Sequence, residues 1–161
     1  MAATSSVKPG IAAKVYRNTG TYGSPTWTAM NLARSVNDNS KWDTADASSR
    51  EGRARLYAKT QVDLPHDIEM RADNADTGYV AMYAAWASAT AVVDLLILDG
   101  PITDEGAMGI RAEFIVCGRP QNQGAGDVIY TTFPLMPTWT SNGVPKSVVM
   151  GAASAPGFTS F

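Results

Sequence analysis

The chain has 161 residues, 45% of them hydrophobic, and a net charge of -2 at pH 7. That length supports one domain with a real core and requires no second one, while the apolar content excludes a disordered chain. The near-neutral balance argues against nucleic-acid binding through a basic surface, and the single cysteine, Cys117, excludes an internal disulfide and fits a reducing compartment.

The opening stretch, MAATSSVKPGIAAK, lacks the basic-then-apolar order of a signal peptide. The longest apolar runs, such as Leu95 to Leu98, are far too short to span a bilayer. A soluble protein made in the cytoplasm is expected. Residues 1–13 read as an N-terminal arm with few bulky apolar side chains. A short strand and a Gly/Ser/Pro turn follow in KVYRNTGTYGSPTW. Residues 27–36 read as a second strand, with Met30, Leu32 and Val36 on one side. Residues 37–59 show no sustained period and many charges, so they read as a long excursion of the kind that is usually functional.

From Thr60 to Asp73 the pattern alternates strictly. Val62, Leu64, Ile68 and Met70 point one way, and Asp63, Asp67, Glu69 and Arg71 the other, which is the period of a strand with one buried and one wet face. The wet face carries three acids and one base. Capping residues Asp73, Asn74, Asp76 and Thr77 then open a helix over 75–89, with Tyr79, Met82, Tyr83 and Trp86 on one stripe. AVVDLLILDG is a mostly buried strand ending in an Asp-Gly turn. In AMGIRAEFIVCG, Met108, Ile110, Ala112, Phe114 and Val116 point inward. GRPQNQGAGD is a hairpin loop and VIYTTFPLMP a last strand. Residues 139–161, rich in Gly, Ala, Ser and Pro, read as a C-terminal tail with little core to offer. The sum is a mainly β fold, a sandwich or half-barrel of two packed antiparallel sheets with one flanking helix and a long charged loop.

Catalytic chemistry is scarce. The only histidine, His66, falls on the apolar face and reads as a core or interface residue; pairing it with Cys117 as a dyad is the weaker alternative. DNADTG lacks the spacing of a calcium loop, and Ala84 stands where the bidentate Glu belongs. No enzyme activity, metal or cofactor is expected. Segment SREGRARLYAK carries Arg50, Arg53, Arg55 and Lys59 against Glu51, a local excess of three positive charges. Trp42, Leu56 and Tyr57 are apolar anchors of the sort that interfaces favour.

VYRNTGTYGSPTWTAM, the order of elements after it, the buried strand closing on Leu98–Asp99–Gly100, and GIRAEFIVCGRPQN leading to VIYTTFPLMP together resemble major tail tube proteins of long-tailed, non-contractile bacteriophages and gene transfer agents. The likeness covers about residues 11 to 138. It lies in order and pattern rather than in an invariant motif. The resemblance implies hexameric rings that close an intersubunit β-barrel and stack into a tail tube through which double-stranded DNA passes during ejection. It implies a lumen lined by Asp63, Asp67, Glu69, Arg71, Arg111 and Glu113. The inter-ring contact loop would comprise Lys41, Trp42, Asp43, Arg50, Glu51, Arg53, Arg55 and Tyr57. Implied partners are further copies of the chain and the tape measure, tail tip and tail terminator proteins, with no membrane; the implied location is the virion tail, assembled in the host cytoplasm. Rival readings are a tail terminator, a head decoration protein, or a small carbohydrate-binding module presenting Trp27 and Trp139.

Overall fold

The computed structural model describes residues 14–48, 55, 57–124, 126–151 and 156–160. Twelve strands and one helix follow in the order β1 (Lys14–Asn18), β2 (Trp27–Ala29), β3 (Ala33–Asp38), β4 (Lys41–Asp46), β5 (Tyr57–Asp63), β6 (His66–Arg71), α1 (Thr77–Ala87), β7 (Val93–Leu98), β8 (Met108–Val116), β9 (Gln121–Asn122), β10 (Tyr130–Pro137), β11 (Lys146–Met150) and β12 (Pro156–Ser160). The fold is mainly β with one helix, as the alternating patterns predict. Ten strands form one antiparallel sheet in the order β2-β1-β7-β8-β10-β6-β3, with β11 pairing β8 and β12, and β9 pairing β10; β4 and β5 form a separate two-stranded sheet. Among the described residues the large sheet does not close on itself.

Alternation along β6, β8 and β10 points Ile68, Met70, Ala112, Phe114, Phe133 and Leu135 to one face. There Tyr79, Met82 and Ala85 of α1 meet them and form the main core. Burying each such large side chain contributes roughly 1.5–3 kcal/mol, which holds an eleven-residue helix to the sheet. Asp76 starts the helix by accepting the Tyr79 amide at 2.7 Å. The expected helical stripe is only half right. Tyr79 and Met82 are buried, but Tyr83 and Trp86 stand at the surface, because the helix turns Gly78 and Ala85 to the sheet instead. Glycine and alanine let the helix lie close, and the two aromatics rotate outward to stack edge-on at 5.6 Å.

Five further expectations change. The long alternating stretch is two strands, not one: the chain breaks at Leu64–Pro65, where proline cannot donate to a ladder, so β5 leaves the large sheet and only β6 remains in it. The second strand likewise splits into β2 and β3 around a turn at residues 31–32 that follows the buried Met30. Residues 37–59, expected as an irregular excursion, are in their described parts the end of β3 and a hairpin arm, β4 against β5, with Trp42 opposite Val62 and Asp46 opposite Tyr57. The C-terminal segment is no bare tail. Its β11–β12 hairpin extends the sheet from β8, and Val148 and Met150 join Tyr16, Leu96, Leu98 and Ala107 in a second core on the opposite face. Within β8, Met108 is exposed, while Ile110, Ala112, Phe114 and Val116 are buried as expected. A Cβ at Gly109 would lie 1.8 Å from the Ile97 carbonyl oxygen, so the β7–β8 crossing there admits only glycine.

Candidate assembly surfaces

The face opposite the helix is divided. Around β1, β7 and the start of β8 it is sealed by the second core; along β3, β6 and β10 it is bare. On the bare part, Glu69 stands opposite Ser35 and Thr132, and Asp67 opposite Asn37 and Pro134. Arg71 stands opposite Tyr130, and exposed Met136 pairs with exposed Ile115. The polar groups there are partnered locally. Arg34 reaches Glu69 at 3.5 Å and lies over the Tyr130 ring, Arg71 reaches Asp73 at 3.5 Å, and Asn39 donates to Asp67 at 3.3 Å. Asp67 and Glu69 thus share the face with Arg34 and Arg71, although Arg71 is turned to Asp73 and Asp67 meets only the Asn39 amide.

The six residues predicted to share one lining are not brought together. Asp67, Glu69 and Arg71 share the bare face. Asp63 lies on β5 in the other sheet, paired with Lys41 at 3.8 Å, because the break at Pro65 separates it from β6. Arg111 has the right parity but is only 3% exposed. Its Nε donates to Asp94 Oδ1 at 3.1 Å, and its Nη2 to Asp94 Oδ2 at 2.6 Å and to the Tyr22 carbonyl at 2.9 Å. Tyr22, Trp27 and Phe158 surround the guanidinium at 3.8–5.3 Å. A bidentate Arg–carboxylate pair with a third acceptor satisfies a buried cation, so this residue ties the β1–β2 loop and β12 to the sheet and is withdrawn from any lining. Glu113 also acts as an anchor. It accepts from the Thr140 hydroxyl and from Asn142 Nδ2 at 3.1 Å, holding the turn that ends at Gly143, whose φ of +100° suits glycine.

Sequence reasoning missed Asp94, Arg34 and Arg119. Asp94 had a signal, since a lone acid inside the apolar run of β7 needs a buried cation. Arg34 and Arg119 had none, because their contacts come from elements distant in sequence, Glu69 and Tyr130 for Arg34 and Tyr83 and Trp86 of α1 for Arg119.

The hairpin arm is the second surface. Every residue of β4 and all but Val62 of β5 are exposed. Lys41, Trp42, Asp43 and Tyr57 lie on it, Lys59 sits 5.2 Å from the Trp42 ring, and Arg55 is exposed just before β5. Arg50, Glu51 and Arg53 of the predicted contact set, with Leu56, lie outside the described residues. At the base of the arm, His66 is 1% exposed and stacks edge-on against Phe114 at 5.6 Å. Its Nδ1 donates to the Leu64 carbonyl at 3.0 Å, and its Nε2 lies 3.5 Å from Asp38 Oδ1. Cys117 is exposed and its Sγ faces the Ile115 carbonyl at 4.0 Å, while the His66 nitrogens face Leu64 and Asp38, so the structure shows no dyad between them. Asp38 feels a desolvation that raises its pKa, but hydrogen bonds from the Ser40 hydroxyl and amide and the electrostatic attraction of His66 outweigh it and hold the carboxyl below its ordinary value. Of the two tryptophans proposed for a sugar platform, Trp139 is 77% exposed, but Trp27 packs against the second core, so no flat aromatic pair exists.

No protein-family model matches this sequence, and none of the curated proteins compared with it does. Solved structures do resemble it. A chain of the SPP1 tail tube superposes with a TM-score of 0.65 at 9% identity, covering 80% of this chain and 74% of that one. A chain from the tail of an empty gene transfer agent particle, refined with C6 helical symmetry, gives 0.61 at 14% identity over 96% of this chain and all of that one. A chain of the sheath–tube complex of an extracellular contractile injection system gives 0.59 at 11% identity, over 84% and 90% of the two chains. The chain thus shares the fold of chains found in a phage tail tube, the tail of a gene transfer agent and the sheath–tube complex of a contractile injection system.

Proposed function

We propose that this chain is a structural, non-enzymatic subunit of a tail tube, located in the tail of a virion or gene transfer particle and assembled in the host cytoplasm. Six copies close a ring, rings stack into a tube, and double-stranded DNA traverses the lumen during ejection without specific binding. The observation that carries the reading is an open sheet of tail tube fold whose bare polar face lies beside an unpaired edge. Strands β2 and β3 end the sheet, and each pairs on one side only among the described residues. Unpaired edges recruit further strands unless covered, and ring closure pairs them all; head-to-tail contacts of this kind close into rings when the rotation permits.

In this reading Asp67, Glu69 and Arg71, with Arg34 and Thr132, line the lumen. Their balanced charges suit a conduit: duplex DNA carries about one negative charge per 1.7 Å, and a basic lining would bind it through counterion release. Tape measure, tail tip and tail terminator proteins are the other partners. Negative-stain electron microscopy of the purified chain at high concentration, or with a tail tip complex as nucleus, tests the proposal. Rings or tubes with an axial channel wide enough for duplex DNA are expected. A chain that stays monomeric even with the nucleus present refutes it.

A further inference from the structure

Two surfaces of the subunit lack partners, and they sit at opposite ends of one strand. The hairpin arm leaves the large sheet at the His66 end of β6, between Asp38 and Lys41 on one side and between Asp63 and His66 on the other. An isolated two-stranded hairpin is marginal in water and gains stability only by packing on something else. At the Arg71 end of β6, where the Ala72 amide donates to the Ile129 carbonyl at 2.9 Å, a groove of about 600 Å³ runs between the helix and the start of β10. Ala72, Asn74, Val80, Tyr83, Arg119 and Ile129 line it, and Val80, Tyr83 and Ile129 are exposed. Six residues of β6 separate the two ends by about 17 Å at 3.3–3.4 Å per residue. One subunit therefore carries an arm at one end and a groove at the other, the arrangement that generates head-to-tail stacks.

The groove also asks for a particular chemistry. The Arg119 guanidinium carbon lies 4.8 Å from the ring centres of both Tyr83 and Trp86. Its Nε is shielded from solvent and has no hydrogen-bond partner among the described residues. Arg119 nonetheless lines the groove, and a carboxylate brought from outside is the strongest acceptor for a guanidinium there. The arm offers one. Asp46 stands directly across the ladder from Tyr57, which is 60% exposed, so a carboxylate and an aromatic ring are presented side by side. Asp46 accepts the Ser48 amide at 2.8 Å, and a carboxylate with about four acceptor sites keeps room for a guanidinium. Hydrogen bonds from the Ser48 hydroxyl and amide hold its pKa below the ordinary value, so it is ionised at neutral pH.

We infer that the groove beside α1 receives the hairpin arm of a second copy of this chain, Asp46 pairing with Arg119 while Tyr57 packs against Val80 and Tyr83. This rests on the tail tube reading, and supplies the receiving site for the arm. The test uses the full chain under conditions in which wild type forms tubes. Arg119→Glu and Asp46→Arg, each folded by circular dichroism, should each raise the concentration needed for half-maximal assembly by roughly tenfold or more, since like charges then face each other. The double variant Arg119→Glu with Asp46→Arg should restore assembly. In a Cys117→Ser background, Tyr57→Cys with Val80→Cys should give a covalent ladder on oxidation of tubes. Single variants that assemble like wild type, a double variant that does not recover, or tubes that give no ladder overturn the inference and leave the tube intact. Wild type that never assembles removes both readings, and that outcome is read from the unmutated chain alone.

Discussion

The β4–β5 and β11–β12 hairpins are both antiparallel, five or more residues to a strand, and without strong apolar runs, yet one is part of the sheet and the other stands clear of it. The difference lies in what each touches. Strand β11 pairs with β8 and buries Val148 and Met150 in the second core, while Phe158 of β12 lies 5.3 Å from the Arg111 guanidinium. Among the described residues the β4–β5 ladder pairs only with itself, and although Val62 packs against the main core, its largest side chains, Trp42 and Tyr57, remain at the surface. Hairpin pairing alone contributes little, and burial decides which hairpin belongs to the folded subunit. The β4–β5 arm, with Val62 alone half-buried, keeps its aromatic side chains exposed.

The largest effect expected is on the packed side. Replacing Asp94 by Ala leaves the 3%-exposed Arg111 as an uncompensated buried cation and should cost about 3–5 kcal/mol, read as a lower urea midpoint. Tyr22 and Phe158 should lose their order with it, since both close over that guanidinium. A midpoint unchanged within error would mean that the C-terminal hairpin is held by apolar contact alone.

A matched pair of truncations sharpens the contrast. Met150→Ala opens a cavity at a 1%-exposed position and should cost about 2–5 kcal/mol. Tyr57→Ala, at a 60%-exposed position of the free arm, should change monomer stability by no more than about 0.5 kcal/mol. Equal costs in thermal or urea unfolding would erase the distinction between the hairpins.

The smallest effect is at the base of the arm. The folded-state pKa of Asp38 lies below its ordinary value of 3.8. Its stabilisation is therefore fully present above that value and is lost as pH falls through the lower folded one. With the side chain 63% exposed, solvent screening keeps the contribution under about 1 kcal/mol. Wild type and Asp38→Asn should differ slightly in urea midpoint at about pH 5, and the difference should close as pH falls through the lowered folded-state pKa. A gap that widened with acid would reverse the assigned sign.

Much of the architecture was legible in the residues alone. Alternation in β6, β8 and β10 identified their buried members, because a strand's period of two cannot hide a one-sided core. Capping by Asp76 marked where the helix begins, and the order of elements carried the likeness to tail tubes. Tertiary structure decided the rest. Whether Asp63 and Asp67 share a face depends on a proline break that sends β5 to another sheet, and periodicity runs straight through that break. Whether Arg111 faces water depends on Asp94, Tyr22, Trp27 and Phe158, which approach it from four separate segments. The C-terminal residues looked too poor in apolar side chains to matter, yet Val148 and Met150 seal a core because β8 extends past β10 and leaves an edge for β11. Local pattern determines which side of a strand is apolar; which strands become neighbours, and so which charges meet, is settled only by the long-range pairing that covers each face.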